Sequence, residues 1–161
     1  MHAIRQATSQ DIARMAEIEG LCFPPKEAAS LQAFQQRFKV FPECFYVLTI
    51  GELVVGHING CINHSPELPD ELYAKPELHC PDGDFQTIFG LAVDPNYQKR
   101  GYASQLTEHF IKVSQANGRK GIILTCKDYL VPFYNSFGFV HQGASSSSHG
   151  GAKWNDMLLT F

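Results

Sequence analysis

The sequence lacks both a cysteine framework and a long hydrophobic segment. Its five cysteines form no C-x-x-C pair, and their odd number argues against a disulfide framework, so we expect free thiols, no metal site and a reducing compartment. No apolar run reaches the roughly 18 residues that a membrane helix needs. The first residues, MHAIRQATSQ, lack the apolar centre of a signal peptide. We therefore expect a cytoplasmic protein with no membrane partner.

An excess of positive charge is also missing. The chain has 13 lysines and arginines against 16 aspartates and glutamates, which gives a net charge of -3. General nucleic-acid binders are usually basic, so no nucleic-acid partner is expected. The 161 residues are 44% apolar, and a chain of about this length buries roughly 70% of its unfolded surface. We therefore expect one globular domain over residues 1–161.

Hydrophobic periodicity and turn residues predict a mixed α/β fold. Apolar, β-rich runs alternate with segments of helical period, and Gly51 and Glu52 separate two runs that suit a hairpin. The predicted order begins with a strand at 2–7, helices at 8–23 and 31–41, a hairpin within 44–63 and a loop at 65–84 with room for one short helix at its centre. It continues with a strand at 85–93, a helix at 102–118, a strand at 121–126, a short helix at 130–138, and closing strands at 139–144 and 153–161. This order contains a strand–helix–strand crossover in the middle. Thr8 and Asp11 have the spacing of a capping box at the start of the first helix, and Ser30 is the expected cap of the second helix.

The segment VDPNYQKRGYASQL, residues 93–106, leads from the strand at 85–93 into the next helix. The first turn of a helix carries unpaired N–H groups and a partial positive charge, which together bind anions such as phosphate. Gly101 and small Ala103 leave the main chain open to a ligand, and Lys99 and Arg100 add positive charge. This pattern favours a pyrophosphate site that needs no metal. The alternative is that Gly101 only makes a turn and both cations are solvated.

The segment has neither the P-loop pattern G-x-x-x-x-G-K-[ST] nor the Rossmann pattern G-x-G-x-x-G, which are the common signatures of nucleotide-binding sites. QKRGYA, residues 98–103, resembles the Q/R-x-x-G-x-G/A signature of the GNAT superfamily of acyl-CoA N-acyltransferases, and it follows a strand as in that family. With LAV before it and LTCKDYLVPFYNSFGF after it, the segment is similar to the arylalkylamine (serotonin-type) N-acetyltransferase branch. The resemblance implies an α/β fold with a GNAT-like mixed central sheet and a splayed, bulged central strand flanked by helices.

The resemblance also implies where acetyl-CoA would bind. Its pyrophosphate would lie on the amides of residues 100–104, and its pantetheine arm would run like an extra strand beside residues 91–93. Gly90 would then mark a bulge that exposes backbone groups to that arm. The cofactor-binding residues implied in this way are Leu91, Ala92, Val93, Gln98, Lys99, Arg100, Gly101, Tyr102, Ala103 and Ser104.

The implied reaction moves an acetyl group from acetyl-CoA to a primary amine, directly in a ternary complex. An alkylamine with a pKa near ~10.4 is more than about 99.9% protonated at pH 7, and freeing it costs roughly 4–5 kcal/mol. A positioned base, or a water chain that leads to one, lowers that cost. No covalent enzyme intermediate is needed, so no nucleophilic cysteine is expected.

Two residues are expected to carry out the proton transfers. In the resembled family, the tyrosine at the position of Tyr134 in VPFYNSF protonates the coenzyme A thiolate; the alternative is that Tyr134 only packs in the core. Thr87 and Phe89 stand where vertebrate-type members carry two histidines, and neither accepts a proton. Glu27 in FPPKEAAS resembles a glutamate of insect relatives and is the expected base. Glu19 is a weaker rival, and a solvated loop acid is the alternative interpretation of Glu27.

Two other functions share these features. Acetylation of a protein N-terminus or lysine needs an open groove, whereas the Pro-rich segments 24–30 and 65–84 suggest loops that cover a small ligand. A non-catalytic acyl-CoA-binding sensor would suit the loss of both histidines. We expect a small-molecule amine as the partner, and a monomer or a homodimer. The sequence leaves the identity of the amine open.

Overall fold

The computed structural model describes residues 1–161. Its strands and helices, in chain order, are β1 (His2–Gln6), α1 (Ile12–Cys22), α2 (Leu31–Val40), β2 (Phe45–Ile50), β3 (Leu53–Asn59), β4 (Ile62–Asn63), α3 (Glu71–Ala74), β5 (Phe85–Ile88), β6 (Gly90–Val93), α4 (Tyr102–Ala116), β7 (Gly121–Cys126), α5 (Val131–Asn135), β8 (Val140–Ala144) and β9 (Asn155–Thr160). These elements group into two compact units. The first comprises Met1–Gly60 and Gly90–Phe110, and the second comprises Cys61–Phe89 and Ile111–Phe161.

The first unit is built on an antiparallel sheet with the strand order β1-β2-β3-β6. The hairpin of β2 and β3 is confirmed, and it turns at Gly51, whose φ of +59° suits a glycine. The inner residues of this hairpin form an apolar core, because Phe45, Val47, Val55 and Ile58 have no exposed surface. The sheet therefore gives β6 a rigid neighbour in β3.

Local side-chain signals define where α1 and α2 of the first unit begin. Asp11 Oδ2 accepts a hydrogen bond from the Thr8 N–H at 2.7 Å, which confirms the predicted capping box. The predicted helix at 8–23 begins with a 3₁₀ turn, and α1 proper starts at Ile12. Ser30 Oγ accepts from the Ala33 N–H at 3.1 Å and so caps α2, as predicted.

The second unit contains a mixed sheet with the strand order β4-β5-β7-β9-β8. β5 and β7 are parallel, and α4 lies between them in the chain, which confirms the predicted crossover. The other strand pairs of this sheet are antiparallel. Two sheets with helices thus confirm the mixed α/β architecture, whereas a single domain over 1–161 stays a prediction. No helix has both the length and the apolar character needed to cross a bilayer.

The apolar run at 85–93, predicted as one strand, is two strands in the structure. β5 ends at Ile88 in the sheet of the second unit, and β6 begins at Gly90 in the sheet of the first. The interruption at Phe89 divides the predicted splayed, bulged strand between the two sheets, and β6 is the last strand of its own sheet. An apolar run indicates burial but does not say which neighbours each half pairs with. Phe89 is the residue at which the chain changes sheets.

Candidate acetyl-CoA site

A short turn fixes the path of the chain after β6. Asp94 Oδ1 accepts a hydrogen bond from the Asn96 N–H at 2.9 Å, and Asp94 Oδ2 accepts from Arg14 Nη2 at 2.7 Å. These bonds, with that to Asn96 first, hold the pKa of the buried Asp94 carboxyl below its usual value. The turn is thereby tied both to its own backbone and to α1.

Two residues in the loop before α4 have left-handed backbone conformations. Lys99 has a φ of +64° and is the one non-glycine residue with a positive φ, and Gly101 has a φ of +82°. A Cβ built on Gly101 would meet no atom within 4 Å. The space beside the main chain is therefore open at Gly101, as the sequence predicts for an anion site.

The first turn of α4 presents unpaired N–H groups beside this loop. The first helical hydrogen bond runs from the Gln105 N–H to the Gly101 carbonyl at 3.0 Å. The N–H groups of Tyr102, Ala103 and Ser104 precede that bond, so they have no partner within the helix. Exposed Arg100 lies over the Tyr97 ring, with its guanidinium carbon 5.3 Å from the ring centre. The loop therefore joins backbone donors, a positive helix end and nearby cations.

The side chain of Gln98, which is predicted to bind the cofactor, contacts the end of β6. Its Nε2 donates to the Val93 carbonyl at 2.9 Å, so it closes the loop back onto the end of β6. The Cys22 thiol donates to the same carbonyl at 3.1 Å. Burial, with a smaller contribution from the charge of Glu19, raises the pKa of that thiol. Gln98 and Cys22 thus secure the strand end next to the loop.

The edge of β6 can accept an extended ligand. Leu91 is half-buried, and Ala92 and Val93 are buried. Because β6 pairs only with β3 within its sheet, its other edge takes no part in that sheet's ladder. An unpaired strand edge is a template for another extended chain. Residues 91–93 and 98–104, predicted to bind one ligand, therefore lie together in the first unit.

Tyr134 lies on α5 in the second unit. Its side chain is 5% exposed, and its ring packs edge-on against Phe133 and Phe139 at centroid distances of 5.0 and 5.6 Å. Burial, and then the nearby Cys126 thiol, raise the pKa of the phenol well above its usual value. Tyr134 therefore stays protonated at neutral and moderately alkaline pH.

Cys126 is the last residue of β7 and is unsuited to nucleophilic attack. Burial raises the pKa of its thiol to about 11, with a smaller contribution from Asp128. The Asn155 amide donates to the Cys126 carbonyl at 3.2 Å and to Asp128 Oδ1 at 2.7 Å. This end of β7 is thus held by hydrogen bonds, and its sulfur stays a thiol.

The expected base and the two substituted histidine positions fall in different surroundings. Glu27 is half-buried, and its N–H donates to the Pro24 carbonyl at 2.9 Å in the turn after α1. Thr87 has no exposed surface, and its hydroxyl donates to Cys61 Sγ at 3.6 Å. Phe89 packs on Tyr73, with the ring centres 4.4 Å apart. Thr87 and Phe89 therefore serve packing in the second unit.

A buried polar cluster in the first unit was missed by the sequence interpretation. His57 and Asn59 on β3 have no exposed surface, and Glu19 on α1 is 5% exposed. Only Glu19 was singled out from the sequence, as a weaker rival of Glu27. The available signal was a histidine and an asparagine inside the otherwise apolar strand segment LVVGHIN. The chain also offers no group of three or more His, Cys, Asp or Glu side chains arranged to hold a metal.

Known proteins share this architecture and part of the sequence. The chain is 27% identical over 114 residues to the uncharacterized N-acetyltransferase YkwB of Bacillus subtilis (strain 168), a match that covers 64% of this chain and 50% of YkwB. The chain thus spans about half the length of this curated relative. The loading GNATL domain of CurA from Lyngbya majuscula superposes with a TM-score of 0.87 at 14% identity, covering 99% of this chain and 98% of that domain.

A second solved structure and a family model extend this likeness. The ribosomal-protein-S18-alanine N-acetyltransferase of Escherichia coli superposes with a TM-score of 0.74 at 20% identity, covering 99% of this chain and 94% of that one. Identities this low show a common fold. The model of the Acetyltransferase (GNAT) family matches residues 12–139, a span that includes the loop at 98–104 and the helix that carries Tyr134. By that match over most of its length, the chain belongs to the Acetyltransferase (GNAT) family.

Proposed function

We propose that the protein is an N-acetyltransferase that uses acetyl-CoA and a primary amine. The observation that carries this proposal is the loop at 98–104. Left-handed Lys99 and Gly101 leave open space beside the unpaired N–H groups of Tyr102, Ala103 and Ser104. Such a concave set of backbone donors suits a pyrophosphate. Each hydrogen bond to a charged group contributes roughly 1.5–3 kcal/mol, so several of them bind tightly.

The direction of the chain gives the orientation of the proposed ligand. The loop that receives the pyrophosphate follows Val93, at the carboxyl end of β6. A pantetheine arm that pairs with the free edge of β6 therefore runs back from the loop along residues 91–93. Its thioester end comes to Gly90, the first residue of β6. Main-chain pairing of this kind holds an extended ligand without requiring particular side chains.

The proposed reaction needs proton transfers that this chain can supply. The acceptor amine arrives protonated and must lose a proton before its nitrogen attacks the thioester carbon. Glu27, on the turn after α1, is the proposed acceptor of that first proton. Tyr134 is the proposed donor to the departing thiolate, and its raised pKa keeps it protonated for this step. No cysteine takes part, in accord with the high pKa of the Cys126 thiol.

The acceptor is proposed to be a small amine, of the arylalkylamine type that the sequence resembles. A protein N-terminus or lysine is the alternative acceptor. A single domain and a cytoplasmic monomer or homodimer complete the proposal. Release of coenzyme A thiol, measured with a panel of arylalkylamines, polyamines and short peptides, distinguishes the acceptors. Acetyl-CoA binding without turnover on any of them would indicate a non-catalytic sensor.

Replacing Gly101 with Val tests the pyrophosphate site. The new side chain enters the open space in front of the α4 amides, so we expect the acetyl-CoA dissociation constant to rise tenfold or more, about 1.4 kcal/mol. Isothermal titration calorimetry with acetyl-CoA measures this change.

Gly118→Val is a matched control, because Gly118 also has a left-handed backbone but lies after the end of α4, away from the loop at 98–104. Gly118 has a φ of +77°, and a Cβ there also meets no atom within 4 Å. We expect Gly118→Val to lower the melting temperature about as much as Gly101→Val but to leave the affinity unchanged. Equal affinities for the parent and a folded Gly101→Val protein would refute the site.

A further inference from the structure

A carboxylate, an imidazole and an amide form a buried polar cluster behind the first residue of β6. Glu19 comes from α1, and His57 and Asn59 come from β3; none of them is more than 5% exposed. Buried polar groups in proteins nearly always have hydrogen-bond partners. Here Glu19 Oε1, His57 Nε2 and Asn59 Oδ1 have none. Two of these atoms, Glu19 Oε1 and His57 Nε2, face each other at 3.5 Å without forming a hydrogen bond, so folding alone does not account for the cluster.

The two oxygens of Glu19 have different surroundings. Oε2 accepts a hydrogen bond from the Ala29 N–H at 3.0 Å, so it holds the segment that follows Glu27. Oε1 lies 3.5 Å from His57 Nε2 and accepts no hydrogen bond. Oε2 therefore stabilises the segment after Glu27, and Oε1 is available to take up a proton.

The amide of Asn59 sets the orientation of the histidine. Asn59 Nδ2 lies 3.4 Å from His57 Nδ1. An amide nitrogen donates, so the tautomer that fits this contact accepts at Nδ1 and has its hydrogen on Nε2. His57 Nε2 lies 3.5 Å from Glu19 Oε1, so in this tautomer the ring hydrogen is next to the carboxylate.

Gly90 is the point at which this cluster reaches β6. A Cβ placed on Gly90 would lie 3.3 Å from Glu19 Oε1, 3.5 Å from Asn59 Nδ2 and 3.6 Å from His57 Cε1. Only the absence of a side chain at Gly90 leaves Oε1 next to the start of the strand. In the proposed function this is also where the thioester end of the pantetheine arm lies.

We propose that Glu19 is a second proton acceptor of acetyl transfer, with His57 as its positioning residue. This assignment rests on the proposed acetyltransferase function. It adds to the role of Glu27, because an ammonium ion loses two protons on its way to an amide. Glu27 removes the first proton before attack, and Glu19 Oε1 removes the second from the nitrogen after attack.

The protons and electron pairs balance over the steps of this reaction. The amine nitrogen, once it has lost a proton to Glu27, forms a bond to the acetyl carbon, and the carbonyl π electrons move to oxygen. Glu19 takes the second proton from the nitrogen. The carbonyl re-forms, the carbon–sulfur bond breaks with its electron pair on sulfur, and Tyr134 protonates the sulfur. The two carboxylates have gained two protons and the phenol has lost one, so one proton is released to solvent when the groups reset.

Residues of α1, α2 and β6 surround the cluster. From α1, Glu19 faces His57, and the Cys22 thiol feels the charge of Glu19. From α2, the uncharged ring of Phe34 packs against His57 with its centre 5.4 Å away, and the buried charged residue of that helix is Arg37. From β6, the contact is Gly90. Burial raises the pKa of the Cys22 thiol above its usual value, so the pH dependence of the test reports on the protonation of the amine.

Glu19→Gln tests the proposal, and Glu17→Gln is the matched control on the same helix. The glutamine keeps an oxygen for the Ala29 N–H but cannot take up a proton. Glu17 is 62% exposed and pairs with Arg14, so its replacement should leave turnover unchanged. We expect Glu19→Gln to lower kcat for an amine about tenfold or more at every pH from 6 to 9, with the acetyl-CoA affinity within about twofold of the parent.

The pH dependence separates the two carboxylates. At high pH more of the amine arrives neutral and bypasses Glu27, but the second proton must still leave the nitrogen. The Glu19→Gln deficit should therefore persist at pH 9, whereas a Glu27→Gln deficit should shrink. A Glu19→Gln protein as active as the parent, or one whose deficit vanishes at pH 9, overturns the proposal. A parent that neither binds acetyl-CoA nor releases thiol overturns the proposed function instead.

His57 provides a second test that does not depend on the stability of Glu19→Gln. His57→Gln retains an N–H donor for the carboxylate and should keep kcat within about threefold, whereas His57→Phe removes it and should show the same persistent deficit as Glu19→Gln. KM for acetyl-CoA should not change in either variant. A folded His57→Phe protein with parental kcat would overturn the positioning role.

Discussion

Replacing Tyr134 with Phe is expected to lower kcat roughly 10- to 10³-fold while leaving the acetyl-CoA affinity nearly unchanged. The substitution removes one oxygen and preserves the ring contacts with Phe133 and Phe139. Coenzyme A leaves as a thiolate with a pKa of about 8.5, which is a tolerable leaving group without help, so the loss should be large but incomplete. Steady-state thiol release and calorimetry measure the two quantities.

The raised pKa of Tyr134 determines how this effect depends on pH. Because burial disfavours the phenolate, the phenol loses its proton only above its usual range. The acid form therefore persists across pH 6 to 9, and we expect no alkaline decline from this group in the parent. The Tyr134→Phe deficit should be constant over the same range.

Tyr46→Phe is the control for the loss of a buried tyrosine hydroxyl. Tyr46 is 7% exposed and packs edge-on against Phe110, much as Tyr134 packs on its neighbours. Tyr46→Phe should leave kcat unchanged. If Tyr134→Phe turns over as fast as the parent while chemistry limits the rate, Tyr134 is a packing residue and the proposed acid must be abandoned.

The Glu27→Gln variant is expected to lower turnover on the order of 10²-fold at neutral pH. The amide keeps the shape of the side chain but cannot accept the proton of the ammonium substrate. Between pH 7 and pH 9 the neutral fraction of an amine with a pKa near ~10.4 rises about 100-fold, so much of the lost activity should return. Rates of thiol release at saturating acetyl-CoA across this range test the expectation.

Glu52→Gln is the control for removing one exposed carboxylate from the first unit. Glu52 is exposed at the β2–β3 turn and should tolerate the change at every pH. A Glu27→Gln protein that matches the parent from pH 6 to 9 would exclude Glu27 as the base. Glu19 would then be the remaining candidate among the carboxylates considered, and it would have to accept the two protons in turn.

Much of the fold follows from signals between residues close together in the chain. The capping box of Thr8 and Asp11, the Ser30 cap and the Gly51 turn each depend on contacts within a few residues, and the structure confirms all three. The strand–helix–strand crossover follows from the order of elements, since parallel neighbours need a long connection. The loop at 98–104 is predictable for the same reason, because its geometry depends on its own glycine and the adjoining helix.

The sequence by itself therefore determined the mixed α/β class, the order of most elements and the open helix end at Gly101. Only the tertiary structure divided 85–93 between two sheets and brought Glu19 to His57, 38 positions along the chain. Periodicity reports whether a residue is buried, but not which distant residue it meets. That partner is chosen when α1 packs against β3 and β6, and it is this packing that places a carboxylate beside Gly90.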